Sequence, residues 1–256
     1  MPTTLNKKNT KNDWLAPFSP ISLSEINSVS LMKRVDTKFM VRLESLGLIL
    51  EDLKNYYQIL EIGNHRLMTY RSLYFDTSDL LFYQMHHNGL NNRIKVRKRL
   101  YVESELSFLE VKIKNLKGRT TKSRIVTDEF SEDLSENEQN FITKTTCREL
   151  DLKCSITNRF NRFTLVDRSM QERVTIDLNL GYNNESFEPK LAVIELKQGH
   201  LNRKSPLFQT LRNHGYFPYA FSKYCIGLAQ SNQDLKQNLF KPKFRKIHQL
   251  TTACLR

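Results

Sequence analysis

The stretch Asn92-Arg93-Ile94-Lys95-Val96-Arg97-Lys98-Arg99-Leu100-Tyr101 decides the fold. Side chains alternate between the two faces of a strand. Arg93, Lys95, Arg97 and Arg99 therefore share one face with Tyr101, while Ile94, Val96 and Leu100 lie opposite. A half-buried strand ordinarily shows water a polar face of mixed sign; this one is cationic throughout.

The same two-faced pattern recurs on either side. Leu106–Lys114 sets Glu110, Lys112 and Lys114 against Leu109, Val111 and Ile113, and Leu191–Lys197 sets Glu195 and Lys197 against Ala192, Ile194 and Leu196. Arg34–Val41 places Arg34, Asp36 and Lys38 opposite Val35, Phe39 and Val41. Arg93–Tyr101, Leu106–Lys114 and Arg119–Val126 form an expected meander with Lys117-Gly118 in its second turn. Further strands are expected over Ile156–Val166 and Arg173–Leu180, and a hairpin from Tyr56–Ile62 and Arg66–Asp76 turned at Gly63-Asn64. Helical spacing or caps mark Ser22 to about Met32, Leu43–Leu53, Ser78–His87 (followed by an Asn88-Gly89 turn), Ser205–His214 and Ala220–Asn232, and Ser131–Leu152 reads as a helical excursion.

Strands dominate, helices fall between them, and no regular strand–helix alternation appears. This predicts an α+β fold: an antiparallel sheet or barrel with attached helices. The polar faces hold Arg97, Arg99, Lys112, Lys114, Lys122, Arg124, Arg162 and Arg173 with few acids to offset them. A sheet closed with that face inward makes a positively charged tunnel, its apolar outer face covered by helices. Residues 1–20 read as a flexible arm, 21–232 as the tunnel domain, and 233–256, with Lys241, Lys243, Arg245 and Lys246, as a loosely ordered basic tail.

The net charge is +13 over 256 residues. It favours an anionic partner: nucleic acid, a membrane surface or phosphorylated small molecules. Cys147, Cys154, Cys225 and Cys254 form no CxxC pair and read as reduced, structural thiols. The first residues lack the apolar run of a signal peptide, and no stretch approaches the ~18 apolar residues of a membrane span. A soluble cytoplasmic protein is the expectation. His86-His87 reads as structural or solvated rather than metal-binding, and Tyr74, Phe82 and Tyr83 as core. There is no GxxxxGK[ST] loop and no kinase signature, so any phosphoryl chemistry here would have to run on side-chain cations plus a metal. A carboxylate two residues from a lysine is ordinarily a surface ion pair; set among many cations it is also an oxygen ligand for Mg²⁺ or Mn²⁺ bridging phosphates.

The ordered segments RVDTKF (34–39), YFDT (74–77), KVRKRLY (95–101), FLEVKIK (108–114), KSR (122–124), NRFTLVD (161–167), ERVTID (172–177), IELKQG (194–199) and SKY (222–224) resemble the VTC-domain family, the polyphosphate polymerase branch of the triphosphate tunnel metalloenzymes. The resemblance implies an antiparallel β-barrel around a basic tunnel. It also implies a reaction in which the γ-phosphoryl of ATP passes to a growing polyphosphate chain, with Mn²⁺ or Mg²⁺ required and ADP released. Carried over by position, Lys38, Arg97, Arg99, Lys112, Lys122, Arg162, Arg173 and Lys223 bind phosphate. Lys95, Lys114, Arg124, Lys197 and Ser222 are secondary contacts, and Glu195 holds the metal with Glu110 and Asp177 as further carboxylates. Related hydrolases and cyclases open with ExExK; here the stretch reads Arg34, Asp36, Lys38, which points to the polymerase branch. Phe160 replaces a tyrosine common in the polymerases, and Lys114 stands where some members have histidine.

The implied partners are ATP and polyphosphate, with no nucleic acid expected; a membrane-protein partner could supply a channel. Two other readings stand beside the polymerase. One is a triphosphate hydrolase using water as acceptor in the same tunnel, and the other a non-catalytic module that binds polyphosphate or another polyanion.

Overall fold

Strict alternation in the sequence becomes strand, and several of the helices begin at a capping serine. The computed structural model describes residues 13–27, 34–116, 119–127 and 129–252. Its strands are β1 (Pro20–Ile21), β2 (Val35–Arg42), β3 (Tyr57–Leu60), β4 (Met68–Asp76), β5 (Arg93–Tyr101), β6 (Leu106–Lys114), β7 (Thr120–Val126), β8 (Lys153–Asp167), β9 (Glu172–Tyr182), β10 (Glu185–Ser186) and β11 (Leu191–Gln198). The helices are α1 (Leu23–Asn27), α2 (Leu43–Leu53), α3 (Leu81–His87), α4 (Glu136–Thr146), α5 (Pro206–Asn213), α6 (Lys223–Ser231) and α7 (Lys241–Thr251). At α4, Ser135 and Glu138 close a capping box; Ser205 caps α5 ahead of Pro206, and Ser222 caps α6.

One sheet runs in the order β2-β11-β9-β8-β4-β5-β6-β7, every neighbour antiparallel. Its outer face is apolar and covered. Phe39, Val41, Ile194, Leu196, Ile176 and Phe163 pack with Leu46 and Leu50 of α2 and Leu207 and Leu211 of α5. Leu73, Phe75, Ile94, Val96, Leu109 and Val111 pack with Phe82 of α3 and Ile142 of α4. The inner face carries the charges, interleaved with Met40, Ile156, Phe160 and Val193, which cluster with residues of α6 and α7.

The sheet curls strongly. Adjacent residues at the start of α6 touch strands three apart: Ser222 accepts a hydrogen bond from Lys95 of β5, and Lys223 pairs with Asp177 of β9. Laid flat, those strands stand about 14 Å apart. The curl stops short of the expected barrel, because β2 and β7 do not pair among the described residues. The free edge of β2 is already engaged: the Lys38 carbonyl accepts from the Tyr219 N–H, in the segment leading into α6. The result is an open trough with a basic interior.

Other expectations are corrected. β3 and β4 form no hairpin, although Ile62 and His65 bridge around Gly63-Asn64. Both strands lie against β8, whose 15 residues accommodate them in tandem. The stretch read as an arm is packed from Leu15, since Leu15 and Phe18 are buried in the outer core. The stretch read as a loose tail contains α7, anchored by buried Ile247 and Leu250 and by Arg42 donating to the Gln249 carbonyl. The end of the first predicted helix, the Lys117-Gly118 turn and Cys254 lie outside the described residues.

Lys98, the one cation of β5 on the apolar side, is 2% exposed and pairs with Glu138 of α4 at 3.0 Å. It also donates to the Asp133 carbonyl at 2.7 Å. Removing one partner of a buried pair strands the other charge. Glu138→Ala is therefore expected to cost about 3–5 kcal/mol, and Lys98→Met with Glu138→Leu to recover most of it. Urea unfolding of the single and double variants checks this; equal losses in both would refute it.

Candidate functional site

Three carboxylates organise the trough, each between two cations. Glu110 on β6 pairs with Arg97 across the β5–β6 ladder, Nε to Oε2 at 2.7 Å, and with Lys122 of β7. Asp177 on β9 receives Arg162 of β8 through Nε at 2.5 Å and Nη2 at 2.8 Å, and also Lys223 from α6. Glu195 on β11 pairs with Lys38 directly opposite on β2 and with Lys197 at 3.4 Å. Register alone selects several of these pairs, because opposed residues bring their side chains to one spot.

Electrostatics follow from that arrangement. Burial pushes the Glu195 carboxyl up, but Lys197, Lys38 and Arg162 outweigh it and hold it well below the usual carboxylate range. Glu110 and Asp177 are likewise raised by burial and held low, by Arg97 and Arg99 in one case and by Arg162 and Lys223 in the other. All three are ionised and surrounded by positive charge.

Several further cations have no carboxylate partner among the described residues. Lys95 donates to Ser222 at 3.0 Å and Arg99 to Ser72 at 3.3 Å. Lys112 stands between Lys95 of β5 and Lys122 of β7 in the ladder. Arg97, then burial and Arg99, push the Lys112 amine down to about 6. Burial and the nearby Arg162 take Lys197 down to about 8.

The structure thus gathers Lys38, Lys95, Arg97, Arg99, Lys112, Lys122, Arg162, Lys197, Ser222 and Lys223 with the three carboxylates on one concave face. Arg173 shares that face at its rim, opposite Lys197, and donates to the Ile26 carbonyl at 3.2 Å. Arg124 lies on the edge strand β7, its guanidinium 4.6 Å from the Phe108 ring. Lys114 lies nearer the α7 end, opposite Arg93.

Sequence reasoning noted Phe160 only as a departure from a family tyrosine and passed over Tyr70, the two rings of an aromatic floor. Phe160 lies beneath Lys223 at 4.3 Å, Arg162 at 5.2 Å and Arg99 at 5.6 Å, and Tyr70 stacks on it with ring centroids 5.1 Å apart. These ring faces attract cations that have few anions to meet. Tyr74 is buried, as expected, yet its hydroxyl also faces Arg97 at 3.5 Å. Alternation along β4 places Tyr70, Ser72 and Tyr74 on the inner face, a signal the sequence did carry. The two histidines are structural: His87 is buried with Nε2 accepting from the Leu239 N–H, and His86 Nδ1 meets Arg93 at 2.9 Å.

Among the described residues no three metal-ligating side chains cluster. The donor set offers separate ionised carboxylates beside many cations. That fits a hard divalent ion arriving with phosphate and taking one or two protein oxygens, as Mg²⁺ commonly does, and not a preformed cage. No described helix is long and apolar enough to cross a membrane.

Comparison with known proteins agrees with this geometry. A solved structure of HpAC1 from Hippeastrum, an adenylyl cyclase candidate with a dominant triphosphatase activity, superposes with a TM-score of 0.51 at 15% identity, covering 78% of this chain and 97% of that one. PH1819 from Pyrococcus horikoshii OT3 matches at a TM-score of 0.46 and 12% identity, over 79% of this chain and 99% of that one, too loosely to argue from. The first likeness speaks for the fold alone. No curated protein matches the chain. The model of the VTC domain matches residues 33–232, which contain every carboxylate and cation of the trough, and the chain belongs to the VTC-domain family.

Proposed function

We propose that the protein is a metal-dependent polyphosphate polymerase that transfers the γ-phosphoryl of ATP to the end of a polyphosphate chain held in the trough. The observation that carries this reading is the charge imbalance of the inner face. Six cations are matched against three carboxylates, while Lys95, Arg99 and Lys112 pair with no carboxylate among the described residues. The neighbours that drive the Lys112 amine down to about 6 set a positive potential that favours a bound anion. A linear row of phosphates supplies that anion.

In the reaction, a terminal phosphate oxygen of the acceptor attacks the γ-phosphorus. The new P–O–P bond forms as the bond to the β–γ bridging oxygen breaks, and ADP leaves with that electron pair. No protein nucleophile is required. The demand is for positioning and for stabilising charge on the equatorial oxygens, which Arg97, Arg99, Arg162 and Lys223 provide from fixed strand and helix positions. Glu195 would hold the divalent ion, which would supply positive charge to neutralise the phosphates. Membership of the VTC family supports the polymerase over the hydrolase, and ionised carboxylates inside the cationic face support an enzyme over a plain polyanion binder.

The direct test is purified protein with ATP and Mn²⁺, with and without a short polyphosphate primer. A metal-dependent ladder of acid-stable chains with matching ADP is expected. Inorganic phosphate without a ladder would replace the reading by hydrolysis. Glu195→Gln should lower turnover at least ~100-fold in a protein that still folds, with a lowered melting temperature because Lys38 and Lys197 lose their shared carboxylate, and an active variant would rule out Glu195 as the metal ligand. Lys223→Ala should weaken ATP binding, measured by calorimetry.

Lys112 gives a pH test. Its amine binds a proton near pH 6 when folded and near 10.5 when unfolded, so the ligand-free protein loses stability as pH falls through that window. Lys112→Met removes the loss. In chelator, its melting temperature should exceed that of wild type most at pH 6 and converge with it near pH 10.5. A constant difference across that range would contradict the shift.

A further inference from the structure

Beyond the three carboxylates, the cations continue along β5 and β6 toward α7. Arg93 stands directly opposite Lys114, one row beyond the Lys95–Lys112 pair. Like charges directly opposed on neighbouring strands are destabilising, and here two successive rows are like-charged. From α3, His86 faces the same spot, its Nδ1 2.9 Å from Arg93. From α7 comes Lys243, its ammonium 6.0 Å from the centroid of the Phe240 ring, which itself lies 6.1 Å from the His86 ring. Burial, with Lys95, Arg93, Lys243 and Lys114 around it, takes His86 down to about 3, so the imidazole is a neutral acceptor for Arg93. Among the described residues no carboxylate pairs with Arg93, Lys95, Lys114 or Lys243.

We infer that Arg93, Lys114 and Lys243 form a second anion site, continuous with the trough through Lys95, which holds the phosphates of a linear polyphosphate beyond those at the reaction centre. The inference rests on the functional reading above and adds to it. Lys243 lies outside the stretch 33–232 that matches the family domain, so α7 gives this chain a contact the domain does not contain. α7 is held firmly in place, with Ile247 and Leu250 buried in the cluster that includes Met40 of β2 and Val193 of β11. The lack of paired acids among the described residues separates this site from the centre, where three carboxylates sit among the cations. A site of cations alone binds phosphate by charge and has no role in the transfer.

Chain length is therefore the diagnostic variable. Wild-type protein, with metal chelated, is titrated by calorimetry with tripolyphosphate and with a polyphosphate of about fifteen phosphates, each at several salt concentrations. The longer chain is expected to bind at least ~10-fold more tightly, with a steeper fall of log K against log salt, since more phosphates are neutralised. In Arg93→Gln/Lys243→Gln that advantage should shrink to less than threefold and the slopes converge, while tripolyphosphate affinity changes less than twofold. Equal affinity and slope for both lengths in wild type overturns the second site and leaves the functional reading standing. A double variant that weakens both ligands alike overturns it too, by placing these residues in the centre. Failure of wild type to bind tripolyphosphate sinks the functional reading, and this inference with it.

Discussion

Like charges repel, and the inner face of this sheet brings many of them together. What makes that tolerable is the placement of Glu110, Asp177 and Glu195, each between two cations. Arg162 illustrates the gain: its two contacts to Asp177 fix a planar group that would otherwise crowd Lys223. The compensation is incomplete, and the excess of positive potential around Lys95, Arg99 and Lys112 is what remains for a ligand. Under the proposed function, stability and binding would be set against each other on the same surface, a conflict expected where function overrides the best packing.

The rest of the architecture serves to hold that surface concave. Apolar outer faces recruit α2 and α5 on one side and α3 and α4 on the other, so the sheet is backed by two separate cores. α6 works from within. Its capping serine meets β5 and the following lysine meets β9, so one helical turn spans the trough. Tyr224, next in sequence, hydrogen-bonds Asp76, whose carboxylate also accepts the Phe82 and Tyr83 N–H groups at the start of α3. The orientation of Lys223 is thus tied to the end of β4 and to α3 by a few buried polar contacts, which are costly to leave unpaired.

Much of this was legible in the sequence. β5 and β6 match their predicted limits, as does α2, because alternation and helical spacing are strong where one face is apolar and the other charged. The covering of the apolar face by helices followed from the same pattern. The β3–β4 hairpin did not, since a turn signal says where a chain reverses and not which strand it pairs with; β8 took both. Closure of the barrel depended on the free edge of β2, which a backbone contact from Tyr219 engages. α7 was hidden because its apolar positions are few and its surface is basic, so composition outweighed periodicity.

By itself, the sequence determined which residues share a face and what sign that face carries, because alternation along a strand is a local property. It could not determine which carboxylate meets which cation. Lys38 and Glu195 are 157 positions apart and Lys223 and Asp177 are 46 apart, and they meet through strand register, curl and the position of α6. Tertiary structure also gathered the cations: a charged face becomes a concave trough only when the sheet curls, and the curl is set by packing on both sides of it.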